Sequence, residues 1–271
     1  MNVTYLSCAC RPAEGERKEP WRVFGKELLS YPAELQFESK KREVFLLAKL
    51  HALSMHLSIE PSILYLGTPV VLVSTLNEDQ SINVAPMSSA WWLGWNCMLG
   101  LGSSSQTARN LIREGECVLN LPSVEQVDAV DRLAKLTAAD PVPPHKVAMG
   151  YRHARNKLER SGLSASKADL VKALRIEECP IQLEAVLENT HPFGNGPGQL
   201  AGCWAFEVRI IRAHVEEQLI ADGTSDHVDP DRWRPLIMSF CRFYGLSEEV
   251  HGSTLAEIPE QAYRPAISMT K

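Results

Sequence analysis

Hydrophobic residues recur along this chain with two periods, and the switch between them organises it. Over residues 39–58, Val44, Leu47, Leu50 and Leu53 fall at helical spacing behind Ser39, a residue suited to cap a helix. The spacing predicts an amphipathic helix, with Lys40, Lys41 and Arg42 in a solvated first turn. From about residue 62 the pattern turns to short apolar, β-branched runs. Ile63 to Leu66 runs into Gly67, and PVVLVST (69–75) reads as a buried strand. NEDQ (77–80) is a polar turn, and Ser81 to Pro86 resumes extended chain. Trp91 to Trp95 reads as an aromatic turn or bulge, and Asn96 to Leu101 as another strand.

Ser105 then caps a short helix, QTARNLIREG, which Gly115 stops. Cys117 to Leu121 is a strand, and Ser123 with Gln126 has capping-box spacing ahead of the next helix. PVPPHK is a rigid loop in which Pro143 and Pro144 exclude helix. GYRHARNKLERSG suggests a short basic helix. Pro180–Leu187 and the well-alternating Cys203–Val215 are strands, with a turn-rich loop at 191–199 between them. Asp229-Pro230 has the form of a helix start, with Trp233, Leu236, Ile237 and Phe240 on its apolar face. Only 96–121 resembles a βαβ unit. The pattern therefore predicts a mainly β chain, antiparallel and closed as a barrel, with helical additions at both ends.

Composition narrows the class further. At 271 residues, 45 % hydrophobic and 23 % charged, the chain is long enough to bury a core. Its net charge of −5 argues against a nucleic-acid partner, though not against a single phosphate held by local donors. No apolar run reaches membrane-spanning length and the start lacks a secretory pattern. Seven cysteines, an odd number without a CxxC pair, suit a reduced, cytoplasmic chain. The division expected is a tail and helical extension over 1–60, one barrel domain over 61–250 and a C-terminal tail over 251–271.

Two segments carry candidate chemistry. Gly100-Leu101-Gly102-Ser103-Ser104-Ser105 follows a strand and opens a helix, where backbone N–H groups and the helix dipole favour an anion. Ser103, Ser104, Ser105 and Thr107 add hydroxyls, and Asn110 lies on the next turn. The same residues also fit an ordinary serine-capped helix. As a dinucleotide fingerprint the segment fails, because Ser105 replaces the third glycine and ECVLNL ends without an acidic residue. The second segment is Asn83-Val84-Ala85-Pro86-Met87-Ser88-Ser89-Ala90, just before Trp91 and Trp92. Its small side chains let the backbone approach a flat ligand, although a bulged strand with core tryptophans reads the same way.

Together, PVVLVSTLNEDQSINVAPMSSAWW, GLGSSSQTARNL and GECVLNLPS resemble the flavin reductase-like, FMN-binding split-barrel family of flavoredoxins and small reductase components. SGLSASKADLV, CPIQLEAVLE, FEVRIIRAHVEEQLI and DRWRPLIMSFCRFYGL extend the resemblance to roughly 67–246. It implies a six-stranded antiparallel split barrel, a homodimer and FMN (FAD remaining open) at or near the dimer interface. By position, Asn83, Ala85, Pro86, Met87, Ser88, Ser89 and Ala90 would line the ring and ribityl chain. Gly102, Ser103, Ser104, Ser105, Thr107 and Asn110 would hold the phosphate end, and Arg242, Phe243 and Tyr244 would close the site. No arginine or lysine lies inside the serine-rich loop, so hydroxyls and N–H groups carry the phosphate, with Arg109 or a partner-subunit base compensating.

The resemblance implies NAD(P)H as hydride donor and, in two-component systems, a monooxygenase partner. No other constellation competes with it. The eight histidines show no metal spacing, and GxSxG is absent. His145 and His153 are open to a substrate-side role or to plain exposure, and His214 reads as structural. Arg152, Arg155, Lys157 and Arg160 either attract nicotinamide dinucleotide phosphates or form a solvated face.

Overall fold

The computed structural model describes residues 56–194 and 202–263. The chain divides into two compact units, Met1–Glu60 and Pro61–Lys271, and the second holds the fold. The helix expected over 39–58 lies outside the described residues except at His56–Ser58, which are irregular and exposed. Most of the 191–199 loop is likewise outside them.

The first strands follow the apolar runs: β1 (Leu66–Pro69), β2 (Val71–Leu76), β3 (Ile82–Met87), β4 (Ala90–Leu93) and β5 (Asn96–Gly102). Helix α1 (Gln106–Glu114) starts where Ser105 Oγ accepts from the Ala108 N–H at 3.1 Å. It stops at Gly115, whose φ of 71° suits glycine. After β6 (Glu116–Leu121), Ser123 and Gln126 form the capping box ahead of α2 (Val127–Leu133). Short pieces follow: β7 (Leu136–Thr137), α3 (Pro144–Ala148), β8 (Arg152–His153), α4 (Lys157–Ser161), β9 (Ala165–Ser166) and β10 (Arg175–Ile176). The long hairpin β11 (Ile181–Phe193) and β12 (Cys203–Val215) precedes β13 (Ile237–Ser239) and β14 (Arg242–Tyr244).

Seven strands form one antiparallel sheet in the order β3-β2-β6-β11-β12-β5-β4. Its edge strands, β3 and β4, are separated in sequence only by Ser88 and Ser89. Two residues span less than about 10 Å, so the sheet must curl until its edges meet. The result is a barrel split at the β3–β4 seam. Inside it pack Val71, Val73, Leu99, Leu119, Phe206 and Val208. Leu72, the alternate residue of β2, faces a second cluster with Val84, Val130, Leu133 and Ile176. Both faces of β2 are thus covered, and all six of its residues are buried.

Four local expectations need correction. The Trp91–Trp95 stretch is strand β4 plus a tight turn at Gly94 (φ 58°), which brings the main sheet to seven strands rather than six. Pro144 opens α3 rather than excluding it, because the first helical position needs no N–H donor. The basic stretch after Gly150 splits into β8 and α4. The helix expected from Asp229 lasts one turn, with Arg232 and Trp233 N–H groups reaching the Asp229 carbonyl at 3.2 Å. Pro235 has no N–H to continue it, and the chain extends into β13 instead.

Candidate functional site

The seam of the barrel is also where the polar residues of β3 meet the start of α1. Asn83 is buried and its Nδ2 donates to Thr75 Oγ1 at 3.1 Å and to Thr107 Oγ1 at 3.0 Å. Asn110, also buried, donates from Nδ2 to Thr75 Oγ1 and Asn77 Oδ1, both at 3.0 Å. Its Oδ1 accepts from Gln106 Nε2 at 2.8 Å and Arg113 Nη1 at 3.2 Å. All four hydrogen-bonding positions of Asn110 are therefore used within the protein. Its place is behind the site, fixing α1 on β2.

The remaining acceptor of Asn83 faces a cation. Lys157, on α4, is 3 % exposed, and its Nζ donates to Asn83 Oδ1 at 3.0 Å and to the Val84 carbonyl at 2.9 Å. Among the described residues no carboxylate lies within ion-pair distance of it. Burial, followed by repulsion from Lys146, lowers its ammonium pKa to about 7. Burial and the nearby Arg109 lower that of Lys146 as well. Lys146 also sits 5.5 Å from the centre of the Tyr151 ring. A buried cation with neutral acceptors only is costly unless an anion joins it. The third hydrogen of the Lys157 ammonium is available for that role.

These side chains line one end of a groove. Its polar compartment, about 130 Å³, is bounded by Asn83, Ala85, Pro86, Met87, Ser105 and Thr107 from the expected set. Lys146, Tyr151 and Lys157 add polar groups to it, among apolar Val73, Leu101, Ala134 and Leu136. A larger compartment of about 590 Å³ shares Pro86, Met87, Ala134 and Tyr151 with the first. Ser88, Ser89, Tyr65, Met238, Cys241 and Phe243 line it, giving it largely apolar walls. The loop between β3 and β4 thus supplies small residues to the larger compartment, and the α1 start supplies hydroxyls to the smaller.

Not every expected residue enters this groove. Ala90 is buried in the barrel core. Gly102, at the end of β5, and Ser103 and Ser104, in the loop before α1, are exposed and line neither compartment. Arg242 and Tyr244 are also exposed, leaving Phe243 as the member of its trio on the groove wall. Lys146, Tyr151 and Lys157 had a weak signal in sequence. They belong to a basic stretch in which Arg152, Arg155 and Arg160 are exposed and Lys157 is not. Only its pairing with Ser161, four residues on and also buried, marks the inward side.

The profile of the flavin reductase like domain matches residues 64–246. The chain belongs to that family. The uncharacterized protein YdfE of Bacillus subtilis (strain 168) is 36 % identical over 192 residues, covering 71 % of this chain and 90 % of YdfE. Flavoredoxin of Desulfovibrio vulgaris (Miyazaki F) shares the fold with a TM-score of 0.61 at 19 % identity, over 75 % of this chain and all of that one. Nitrilotriacetate monooxygenase component B from Bacillus cereus superposes with a TM-score of 0.57 at 21 % identity, over 73 % of this chain and all of its own. Family membership makes this a flavin reductase-like domain. No helix among the described residues is long and apolar enough to cross a membrane.

Proposed function

We propose that the groove binds a flavin by its FMN portion and that the protein is an NAD(P)H-dependent oxidoreductase of the flavin reductase type. The observation that carries this reading is the buried, carboxylate-free Lys157 at one end of the groove. Lys157, Lys146 and the Thr107 hydroxyl, with the N-terminus of α1 behind them, suit a dianionic phosphate. They supply the cations that the serine-rich loop lacks. The wider compartment suits a flat ring, with Met87, Met238 and Phe243 as apolar walls and the Ser88–Ser89 backbone beside a polar edge.

A bound flavin supplies the hydride-accepting chemistry itself. The protein's task is then to bind the phosphate, fix the ring plane and exclude water from one ring face. Phe243 and Tyr65 stand on the wall to do so. No side-chain acid or base is needed for hydride transfer to a flavin, so their absence from the motif set is consistent with the reading. A homodimer is supported by exposed apolar residues of neighbouring strands: Leu66 on β1, with Trp91 and Leu93 on β4, which packs beside it.

The test is direct. Purified protein titrated with FMN should bind it and then oxidise NADH or NADPH above the rate with free FMN alone. Absence of flavin binding would remove the proposal. Binding without nicotinamide oxidation would leave an electron carrier, or a flavoprotein acting on its own substrate.

A further inference from the structure

The amine of Lys157 has two acceptors and no counter-ion. The Asn83 amide oxygen at 3.0 Å and the Val84 carbonyl at 2.9 Å are both neutral. No acidic side chain lines the polar compartment, and a second cation, Lys146, lines it instead. Tyr151 is the other titratable group on its wall, and Arg109 on α1 acts on Lys146. Two cations bordering a space without an acid favour loss of a proton from the more buried one. That one is Lys157, whose pKa falls to about 7. A neutral amine has two hydrogens, and the two acceptors use both. The fourth tetrahedral position of the nitrogen then holds a lone pair. The compartment that Lys157 lines measures about 130 Å³, well above the ~10–15 Å³ that admits one water, so a small electrophile fits.

We propose that Lys157 is a site of reversible carboxylation, its amine adding dissolved carbon dioxide to form a carbamate at the polar end of the groove. The nitrogen lone pair forms the bond to carbon, and one C=O π pair moves onto oxygen. The nitrogen releases one proton to water, and nothing is oxidised or reduced. The remaining N–H keeps one of the two bonds, to Asn83 Oδ1 or to the Val84 carbonyl. The charge of the product selects carbon dioxide over an aldehyde. An imine is neutral or cationic and gives Lys146 no partner, whereas a carbamate sets an anion in the compartment that Lys146 lines. Thr107 Oγ1 accepts from Asn83, and Ser105 Oγ accepts from the Ala108 N–H. Among the described residues neither hydroxyl donates, so each has its hydrogen for a carbamate oxygen. The carbamate itself needs no flavin. Its consequence rests on the flavin reading above: the same groups would hold the flavin phosphate, and two anions would repel each other there. FMN and the carbamate then exclude one another, and carbon dioxide sets the fraction of protein open to flavin.

Carbon NMR of the flavin-free, full-length protein in isotopically labelled bicarbonate tests this. The buffer is held about one unit above the lysine's folded value of about 7. Alkylation of the adduct with an oxonium reagent, followed by peptide mass spectrometry, locates it in the wild type without any variant. A carbamate resonance should appear, and the alkylated adduct should lie on Lys157. Lys157→Arg, which keeps the charge but not the nucleophile, should lose both. FMN should abolish the resonance, and riboflavin, which has no phosphate, should leave it. When bicarbonate brings half of the sites to carbamate, the apparent FMN Kd should rise about twofold. No adduct on Lys157 in the wild type, with adducts only on the N-terminal amine or exposed lysines, would overturn the inference while leaving the flavin reading intact. An adduct on Lys157 with FMN affinity unchanged would support the carboxylation and overturn its exclusion of flavin. If FMN does not bind at all, the flavin reading falls, and an adduct on Lys157 still supports the carboxylation.

Discussion

Lys157 Nζ and Asn83 Oδ1 meet at 3.0 Å although 74 residues separate them in sequence. The bond pins α4 to β3 and aims an ammonium group into the polar end of the groove. It also joins that cation to Thr75 and Thr107 through the amide of Asn83. This end of the groove is thus a network built from four separate segments of chain, formed without a ligand.

Replacing Lys157 by methionine keeps most of its volume and removes the charge. FMN affinity should fall about 10- to 100-fold, the worth of one hydrogen bond to a charged group. Riboflavin, which has no phosphate, should bind as it does to the wild type. Fluorescence titration with both ligands checks this. Equal losses for the two would mean that Lys157 shapes the groove rather than holding the phosphate.

The same lysine predicts a pH dependence. Burial, then Lys146, lowers its pKa from 10.5 to about 7 in the folded protein. Between those values the unfolded chain holds the proton and the folded chain does not, so ligand-free stability should rise with pH. Flavin affinity should move the opposite way. The phosphate is fully dianionic above about pH 7, and it requires the protonated lysine. FMN affinity should therefore weaken by up to about tenfold per unit as pH rises above 7. Lys146 and Tyr151 also border the compartment, and Arg109 acts on Lys146, so the comparison with Lys157→Met isolates this term. A pH-independent dissociation constant in the wild type would refute it.

Much of the barrel was legible because its strands alternate over covered and exposed positions, as β12 does, or are buried on both faces, as β2 is. The Ser105 and Gly115 helix limits were equally readable, since capping is local chemistry. What sequence could not supply was where the helix start at Asp229-Pro230 ends. Pro235 overrides Asp229-Pro230, and Leu236 and Ile237 become extended residues rather than a helix face. The site was half legible. Asn83 and Thr107 were visible as members of the two candidate segments, but the bond between them, from β3 to α1, was not. Lys157 was hidden among exposed arginines, because one inward lysine in a basic stretch has no periodic signature.

Placement also separates two hydroxyls that look alike in sequence. Thr107 Oγ1 is buried and accepts from Asn83, whereas Ser104 is exposed outside the groove compartments. Thr107→Val should lower unfolding free energy by about 1–3 kcal/mol, because the Asn83 amide loses a buried acceptor. It should weaken FMN binding in parallel. Ser104→Ala should leave stability within about 0.5 kcal/mol, as surface changes usually do. Urea unfolding of the two variants is the measurement, and a reversed order would contradict the placement.

A second buried charge, remote from the groove, bears on stability alone. Glu184 is fully buried on β11, and its carboxylate accepts from the N–H groups of Asp169 (2.8 Å), Leu170 (2.6 Å) and Val171 (3.2 Å). His214 Nε2 lies 2.6 Å from the same group. Burial by itself would raise the carboxyl pKa, but the Asp169 N–H, His214 and the Leu170 N–H together bring it below the ordinary value. For a lowered acid the stabilisation is present above the ordinary carboxylate range and is lost as pH falls through the folded value. Glu184→Ala should therefore destabilise the fold by about 3–5 kcal/mol at neutral pH, by stranding the three N–H groups and the histidine. The gap between wild type and variant should narrow in acid. Asp169, Glu184 and His214 also place potential ligand atoms within 4.8 Å of one another. Because the Glu184 oxygens are already occupied by donors, added zinc should not raise the melting temperature. A zinc-dependent rise that is lost in Glu184→Ala would show that the loop at 169–171 opens to admit the ion.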